Sequence, residues 1–242
     1  MNRLPLPACC SPLDDRWPLP LPLPGAVLIS TRFDPARLDA GDFARCGVPP
    51  VKGVAKRQSE FLAGRLCAGE ALRRLVGTPR IPGIGTDRAP QWPAGTLGSI
   101  THGAGWAAAV AARSEDCRGL GLDVEQRLPN ERAMRLAEEI LTPAELQRLR
   151  GHSAADWSHW VTLTFSLKES LFKALYPLVG VHFYFQDAEL LDWQADGSAR
   201  LRLLTTLSAE WAAGSELDGQ FCEFDGYLLS LVSVPGPGER SA

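Results

Sequence analysis

The chain has 242 residues, 45% of them hydrophobic and 22% charged, and a formal net charge of −3. That is enough chain for a sizeable core, as one large domain or two small ones, with the composition of a soluble globular protein. The charge excludes a global basic field of the kind that draws nucleic acid. The six cysteines (Cys9, Cys10, Cys46, Cys67, Cys117 and Cys222) form no C-x-x-C pair, and no His-x-x-x-His accompanies them. This argues against zinc and for unpaired thiols in a reducing compartment, the cytoplasm. Prolines break every apolar run after Arg3, so no signal peptide is expected, and no apolar run reaches the roughly eighteen residues that span a membrane.

Residues 1–24 are rich in Leu and Pro and end in Trp17-Pro18-Leu19-Pro20-Leu21-Pro22-Leu23-Pro24. Proline fixes φ and removes a donor, so an extended, polyproline-like arm is expected, its leucines lying on the surface of the chain's own domain. Gly25 to Ser30 reads as a buried strand, and residues 34–50 as irregular or briefly helical. From Val54 to Val76, Phe61, Leu62, Leu66, Ala68, Leu72 and Leu75 recur at helical spacing, and Gly77 and Pro79 end the helix. Its other side carries Lys56, Arg57 and Arg65. Residues 78–96 form a Gly- and Pro-rich loop containing Arg88, which can meet a phosphate bidentately, and Trp92, which is expected to pack. Leu97–Thr101 and Trp106–Ala112 read as two strands joined through His102-Gly103-Ala104-Gly105. Arg113–Arg118 is a charged turn and the expected boundary between halves.

Gly119-Leu120-Gly121-Leu122-Asp123-Val124-Glu125 reads as a buried strand ending in two carboxylates. Residues i and i+2 of a strand share a face, so Asp123 and Glu125 point at one spot, where they repel unless a cation lies between them. A helix runs from Asn130 to Ile140. Thr142-Pro143-Ala144-Glu145 starts another, with Thr142 as N-cap, proline at its first position and Glu145 closing a capping box. Trp157 to Leu178 is a second long helix, ended by Pro177, on which Glu169 and Lys173 are neighbours at i,i+4. The tail is antiparallel sheet: Ala188–Trp193, Ala199–Leu204 and Gln220–Val234, with Asp196-Gly197 and Asp225-Gly226 as hairpin turns. Residues 235–242 look disordered. The expected domains are therefore the arm 1–24, an N-terminal half 25–116, a C-terminal half 117–234 and the tail. Three carboxylates with lysines suit a hard, oxygen-loving cation holding a phosphate, most plausibly Mg²⁺.

Two stretches, Gly121-Leu122-Asp123-Val124-Glu125 and Phe165-Ser166-Leu167-Lys168-Glu169-Ser170-Leu171-Phe172-Lys173, resemble the G-[IV]-D-x-E strand and [WF]-[ST]-x-K-E-[SA]-x-x-K helix of 4′-phosphopantetheinyl transferases of the surfactin-synthetase and enterobactin-synthetase class. Each alone is weak; the two in this order are specific. Lys56-Arg57-Gln58-Ser59-Glu60-Phe61-Leu62-Ala63-Gly64-Arg65 resembles the R-x-x-E-F-x-x-G-R pattern of the enterobactin-type branch. Ser99-Ile100-Thr101-His102 resembles the family's S-x-S-H, with Thr for the second Ser. The likeness covers about residues 54–175.

The resemblance implies an α+β fold of two similar halves about a pseudo-two-fold axis, with the site in the cleft between them. It also implies an activity: coenzyme A donates its phosphopantetheine arm to a serine of an apo acyl or peptidyl carrier protein, releasing 3′,5′-ADP. On that likeness Asp123, Glu125 and Glu169 hold Mg²⁺, Glu169 is the candidate general base, and Lys173, with Lys168, meets the pyrophosphate. Lys56, Arg57, Arg65, Arg88, Thr101 and His102 are the candidates for the 3′-phosphate and adenine end. Arg127, Arg132, Arg135, Arg148 and Arg150 offer a basic surface to an acidic carrier. A monomer is expected, because two halves in one chain complete the site. The enterobactin-like helix leans towards non-ribosomal peptide and siderophore synthesis, with fatty acid and polyketide carriers left open. Two other readings stand beside this one: a Mg²⁺-dependent phosphohydrolase acting on coenzyme A or another nucleotide, and a non-catalytic module that binds coenzyme A or a carrier.

Overall fold

The structure is a computed structural model that describes residues 5–86, 88–153 and 156–236. The chain divides into two compact units. The first holds residues up to 17, 23–118 and those from 235; the second holds Pro18–Pro22 and Gly119–Val234.

The first unit is a long helix on a three-stranded antiparallel sheet. Strand β1 (Val27–Arg32) leads through a 3₁₀ turn, Pro35–Arg37, and a short helix α1 (Asp42–Cys46) to helix α2 (Ala55–Val76). A two-residue ladder, β2 (Gly83–Ile84) with β3 (Pro90–Gln91), forms inside the expected loop. Strands β4 (Thr96–Gly103) and β5 (Trp106–Arg113) complete the sheet in the order β1-β5-β4. The centre of β5 is almost all alanine. Small side chains there let Leu62, Leu66, Ala68 and Leu72 of α2 sit close, with Ala107, Ala109 and Ala111 buried against them. Gly77, at φ +81°, ends α2 in the left-handed region that glycine occupies without penalty. Trp92 packs on the sheet, its ring lying where a Cβ on Gly98 would go.

The proline-rich segment is not a free arm. Its first four residues lie outside the described residues. Cys9 and Cys10 are buried under α1, and Asp14 and Ser30 exchange backbone hydrogen bonds. Leu19 is buried and the Leu21 amide donates to Gln220 Oε1 at 2.9 Å, both within the second unit, while Leu21 itself is exposed. All six cysteines carry free thiols.

The second unit begins on strand β6 (Cys117–Gln126), so the charged turn is shorter than its sequence suggests: pairing resumes at Cys117. Helices α3 (Asn130–Ile140), α4 (Pro143–Arg150) and α5 (Trp157–Val179) follow. Strands β7 (Ala188–Trp193), β8 (Ser198–Leu203), β9 (Glu216–Phe224) and β10 (Tyr227–Pro235) then form a five-stranded sheet in the order β6-β10-β9-β8-β7. Leu163, Leu167, Leu171 and Leu175 of α5 fill the core against Leu201, Leu203, Phe221 and Val232. Like the first unit, this one is a long helix on antiparallel sheet. Pro177 lies inside the last turn of α5 instead of ending it; Gly180, at φ +66°, ends it with its amide on Tyr176 O. Strand β10 runs through Pro235, and the Gly236 amide bonds Asp116 O, so these two residues of the expected tail are ordered. The rest of that tail, 237–242, lies outside the described residues. Among the described residues no helix is long and apolar enough to cross a membrane.

Two devices seat α5. The first is close approach. A Cβ on Gly121 would collide with the carbonyl oxygen of Ser170, and one on Gly119 would stand 2.5 Å from Ala174 O. Ser166 and Ser170 meet Ser230 of β10 at 2.8 Å each. The second is a buried ion pair. Lys168 Nζ donates to Glu145 Oε2 (2.7 Å), to Ile140 O (2.8 Å) and to Phe185 O (2.8 Å). Glu145 closes the capping box of α4 and also accepts from the Leu190 amide at 2.5 Å.

Two stability outcomes follow. Gly121→Ala should lose about 3 kcal/mol, because the obstacle is backbone and has little room to yield; urea unfolding would show it, and an unchanged midpoint would contradict the close approach. Lys168→Ala leaves the Glu145 carboxylate buried without its cation and should cost about 3–5 kcal/mol, read as a fall in Tm. A variant with normal Tm and a selective defect in coenzyme A binding would contradict this structural role.

Candidate active site

The second unit brings its acidic residues together because β6 and α5 touch. Asp123 and Glu125 lie on one face of β6, the face away from Leu122 and Val124, and Glu169 and Lys173 lie one turn apart on α5. Lys173 Nζ donates to Asp123 Oδ1 at 2.6 Å and to Leu122 O at 3.2 Å. Asp123 is 4% exposed and its Oδ2 has no hydrogen-bond partner among the described residues. Burial, then the Asp123 charge, pushes Glu125 up to about 7. Burial also raises Glu169, with Lys173 pulling the other way and Asp123 adding to the rise. Both shifts have the same two causes, partial burial and the neighbouring Asp123 charge, which Lys173 only partly offsets.

Among the described residues, no three metal-ligating side chains converge closely enough to hold an ion. The positive charge that reaches Asp123 is that of Lys173. The donor set nevertheless fits a hard divalent cation, because a buried carboxylate oxygen is left without a partner and the two neighbouring glutamates are held towards their protonated form.

The first unit contains a cavity of about 420 Å³ lined by Lys52, Arg57, Glu60, Arg65, Arg88 and His102 among others. Arg57 and Arg65 face it from α2, and His102 from the end of β4. Arg88 is placed by a turn at φ +69°, its amide on Gly85 O. Arg65 is 4% exposed, its guanidinium lies 4.9 Å from the centre of the Phe61 ring, and its Nη1 has no partner among the described residues. Burial lowers its pKa to about 10, which still leaves it charged. Arg57 Nη1 is 3.4 Å from His102 Nε2, and Glu60 Oε2 is 3.8 Å from His102 Nδ1. A buried guanidinium with an unused donor, among further cations, is built to receive an anion.

Three expected site residues are placed elsewhere. Lys168 is 3% exposed and its three donors are spent inside the second unit, so it braces the fold here. Thr101 is buried on the strand face opposite Ile100 and His102, away from the cavity. Lys56 is exposed in the first turn of α2 and does not line the cavity. Sequence reasoning missed Lys52 and Glu60 as lining residues. Lys52 precedes the helix, where no periodicity places it. Glu60 stood in the quoted motif and was legible there, one helical turn from Arg57. Of the basic residues near α3 and α4, Arg127, Arg132, Arg135 and Arg150 are exposed, whereas Arg148 is held by Glu189 at 2.8 Å and by Leu190 O at 2.6 Å.

Comparison with known proteins finds family matches in both units. Residues 51–112 match the 4′-phosphopantetheinyl transferase N-terminal domain, and residues 119–232 match the 4′-phosphopantetheinyl transferase superfamily. The chain is 37% identical over 196 residues to 4′-phosphopantetheinyl transferase Svp of Streptomyces mobaraensis, covering 77% of this chain and 76% of that one. It is 33% identical over 209 residues to enterobactin synthase component D of Escherichia coli (strain K12), covering 85% and 97%. It is 34% identical over 181 residues to 4′-phosphopantetheinyl transferase PptT of Mycobacterium tuberculosis (strain ATCC 25618 / H37Rv), covering 67% and 77%. Matched by family at both halves and by relatives over most of its length, the chain belongs to the 4′-phosphopantetheinyl transferases.

Proposed function

We propose that this chain carries out the transfer for which its family is named, with the acidic cluster of the second unit as its chemical centre. The 4′-phosphopantetheine arm of coenzyme A passes to a serine hydroxyl of an apo carrier protein, giving the holo carrier and 3′,5′-ADP. One observation carries the assignment of residues: the buried, unpartnered Asp123 Oδ2 beside two glutamates held towards protonation.

A bond forms between the serine oxygen and the phosphorus that bears pantetheine. The bond from that phosphorus to the bridging oxygen breaks, and the leaving 3′,5′-ADP keeps the electron pair. Glu169 takes the serine proton; burial makes this carboxylate a stronger base than a solvated one. Lys173 supplies positive charge one helical turn away, against the leaving oxygen. Asp123, Glu125 and Glu169 are the residues that would hold Mg²⁺, which when bound neutralises pyrophosphate charge. The cationic cavity of the first unit takes the 3′-phosphate, with Arg65 as its buried anchor and Arg57, Arg88, Lys52 and His102 around it. The exposed Arg127, Arg132 and Arg135, with Met134 exposed beside them, suit an acidic, partly apolar carrier and act on encounter rate and orientation. We read the protein as a cytoplasmic monomer, and non-ribosomal peptide carriers as its first candidates.

Intact-mass spectrometry of an apo carrier incubated with this protein, coenzyme A and Mg²⁺ should show a gain of one phosphopantetheine. EDTA should abolish the gain, and Glu169→Ala should lower its rate by about 10²–10⁴. Coenzyme A cleaved while every carrier stays unmodified would favour the hydrolase reading; coenzyme A bound without turnover would favour the binding module.

Metal binding has a readout that needs no turnover. Millimolar Mg²⁺ should raise the Tm of the wild-type chain and leave that of Asp123→Asn unmoved. An equal rise in both would remove Asp123 from the ligand set.

A further inference from the structure

Glu60 is the one acidic side chain among the described residues lining the cationic cavity, and a carboxylate there works against an anion. Its geometry suggests what offsets that cost. Glu60 Oε2 lies 3.8 Å from His102 Nδ1, and on the other side of the same ring Arg57 Nη1 lies 3.4 Å from Nε2. A guanidinium only donates, so Nε2 accepts and the ring proton sits on Nδ1, facing Glu60. Glu60 is mostly buried, with 12% of its side chain exposed, and it projects from α2 one turn beyond Arg57, so the three groups form a fixed row.

We propose that Glu60 is a positioning residue that holds His102 in the Nδ1–H form and makes entry of a phosphate monoester a proton-coupled step. This rests on the reading of the cavity as the subsite for the 3′-phosphate of coenzyme A. As the phosphate enters, Nε2 takes one proton from solvent; no bond to phosphorus is made or broken. The ring becomes an imidazolium whose Nε2–H donates to a phosphate oxygen, and Arg57 is released to donate to the same group. The Glu60–His102 pair passes from a net charge of −1 to zero, so the carboxylate no longer repels the ligand. Among the described residues, the charged groups that line the cavity with the ring are Glu60 and Arg57 on α2, and Lys52, Arg65 and Arg88. The four cations oppose protonation of the empty cavity. A dianionic phosphate removes that opposition, and Glu60 is the fixed charge that tips the ring towards imidazolium.

The test is calorimetric titration of the full chain with coenzyme A and with dephospho-coenzyme A, which lacks the 3′-phosphate, in buffers of different ionisation heat. At about pH 8 a free phosphate monoester is already dianionic, so proton uptake reports the protein. Wild type should bind coenzyme A more tightly than dephospho-coenzyme A and take up close to one proton with the former alone. Glu60→Gln should keep the preference while its uptake falls to less than half. His102→Gln, at a half-exposed strand end, should take up none even if Glu60→Gln folds poorly. Wild-type binding without proton uptake, or undiminished uptake by a folded Glu60→Gln, would overturn the proposal. Equal affinity for the two ligands would instead overturn the subsite reading on which it rests.

Discussion

The second unit depends on how closely the backbone of β6 approaches that of α5. At Gly121 the strand runs against the Ser170 carbonyl with no space for a methyl group, and Gly119 does the same at Ala174. Serines at 166, 170 and 230 extend the contact with hydroxyls that satisfy one another. Close approach makes a side chain at the end of β6 and one on the adjoining turn of α5 neighbours, and so Lys173 reaches Asp123 at 2.6 Å. With a larger residue at 121 the helix would lift and the carboxylates would separate. The glycines of the strand motif are thus part of the site, although they carry no chemistry.

The two units divide the charge. The first collects cations around a cavity and buries an arginine there with an unused donor; the second collects carboxylates and leaves one oxygen unpartnered. Each is costly when empty, because a buried charge without a partner is poorly solvated. Each also carries a partial internal remedy. Lys173 rests on Asp123, and Glu60 stands among the cations beside His102. Neither remedy is complete, as the raised carboxylates and the orphaned Arg65 Nη1 show. Incomplete neutralisation leaves each unit, taken by itself, with charge that a ligand of opposite sign can still meet.

Much of this was legible in the chain. The long helices at 55–76 and 157–179, the capping box at Thr142, the Asp225-Gly226 hairpin and the i,i+2 carboxylates follow from local rules. Charge alone was the weaker guide. Lys168, next to Glu169, looked like a phosphate contact by type and by motif. What decides its role is where its helix face points: inwards, to the end of α3, the cap of α4 and the turn at Phe185, elements far apart in sequence. Thr101 and His102 are adjacent, but a strand sends neighbours to opposite faces, so only one of them reaches the cavity. The start of β6 at Cys117 and the persistence of α5 through Pro177 were hidden because both are set by pairing and packing partners rather than by residue type.

Lys168 also shows that one short motif can serve two unrelated purposes. In the stretch Phe165–Lys173, Glu169 and Lys173 share the face turned to β6. Lys168 and Leu167 point into the unit, one to a buried carboxylate and one to the apolar core. A helix presents a new direction every 100° or so, and a short run therefore serves core, brace and site at once. Fixing the brace fixes the rotation of α5 about its axis. That rotation decides whether Glu169 faces Asp123 or the solvent, so the buried Lys168–Glu145 pair acts on the acidic cluster by holding α5 in place.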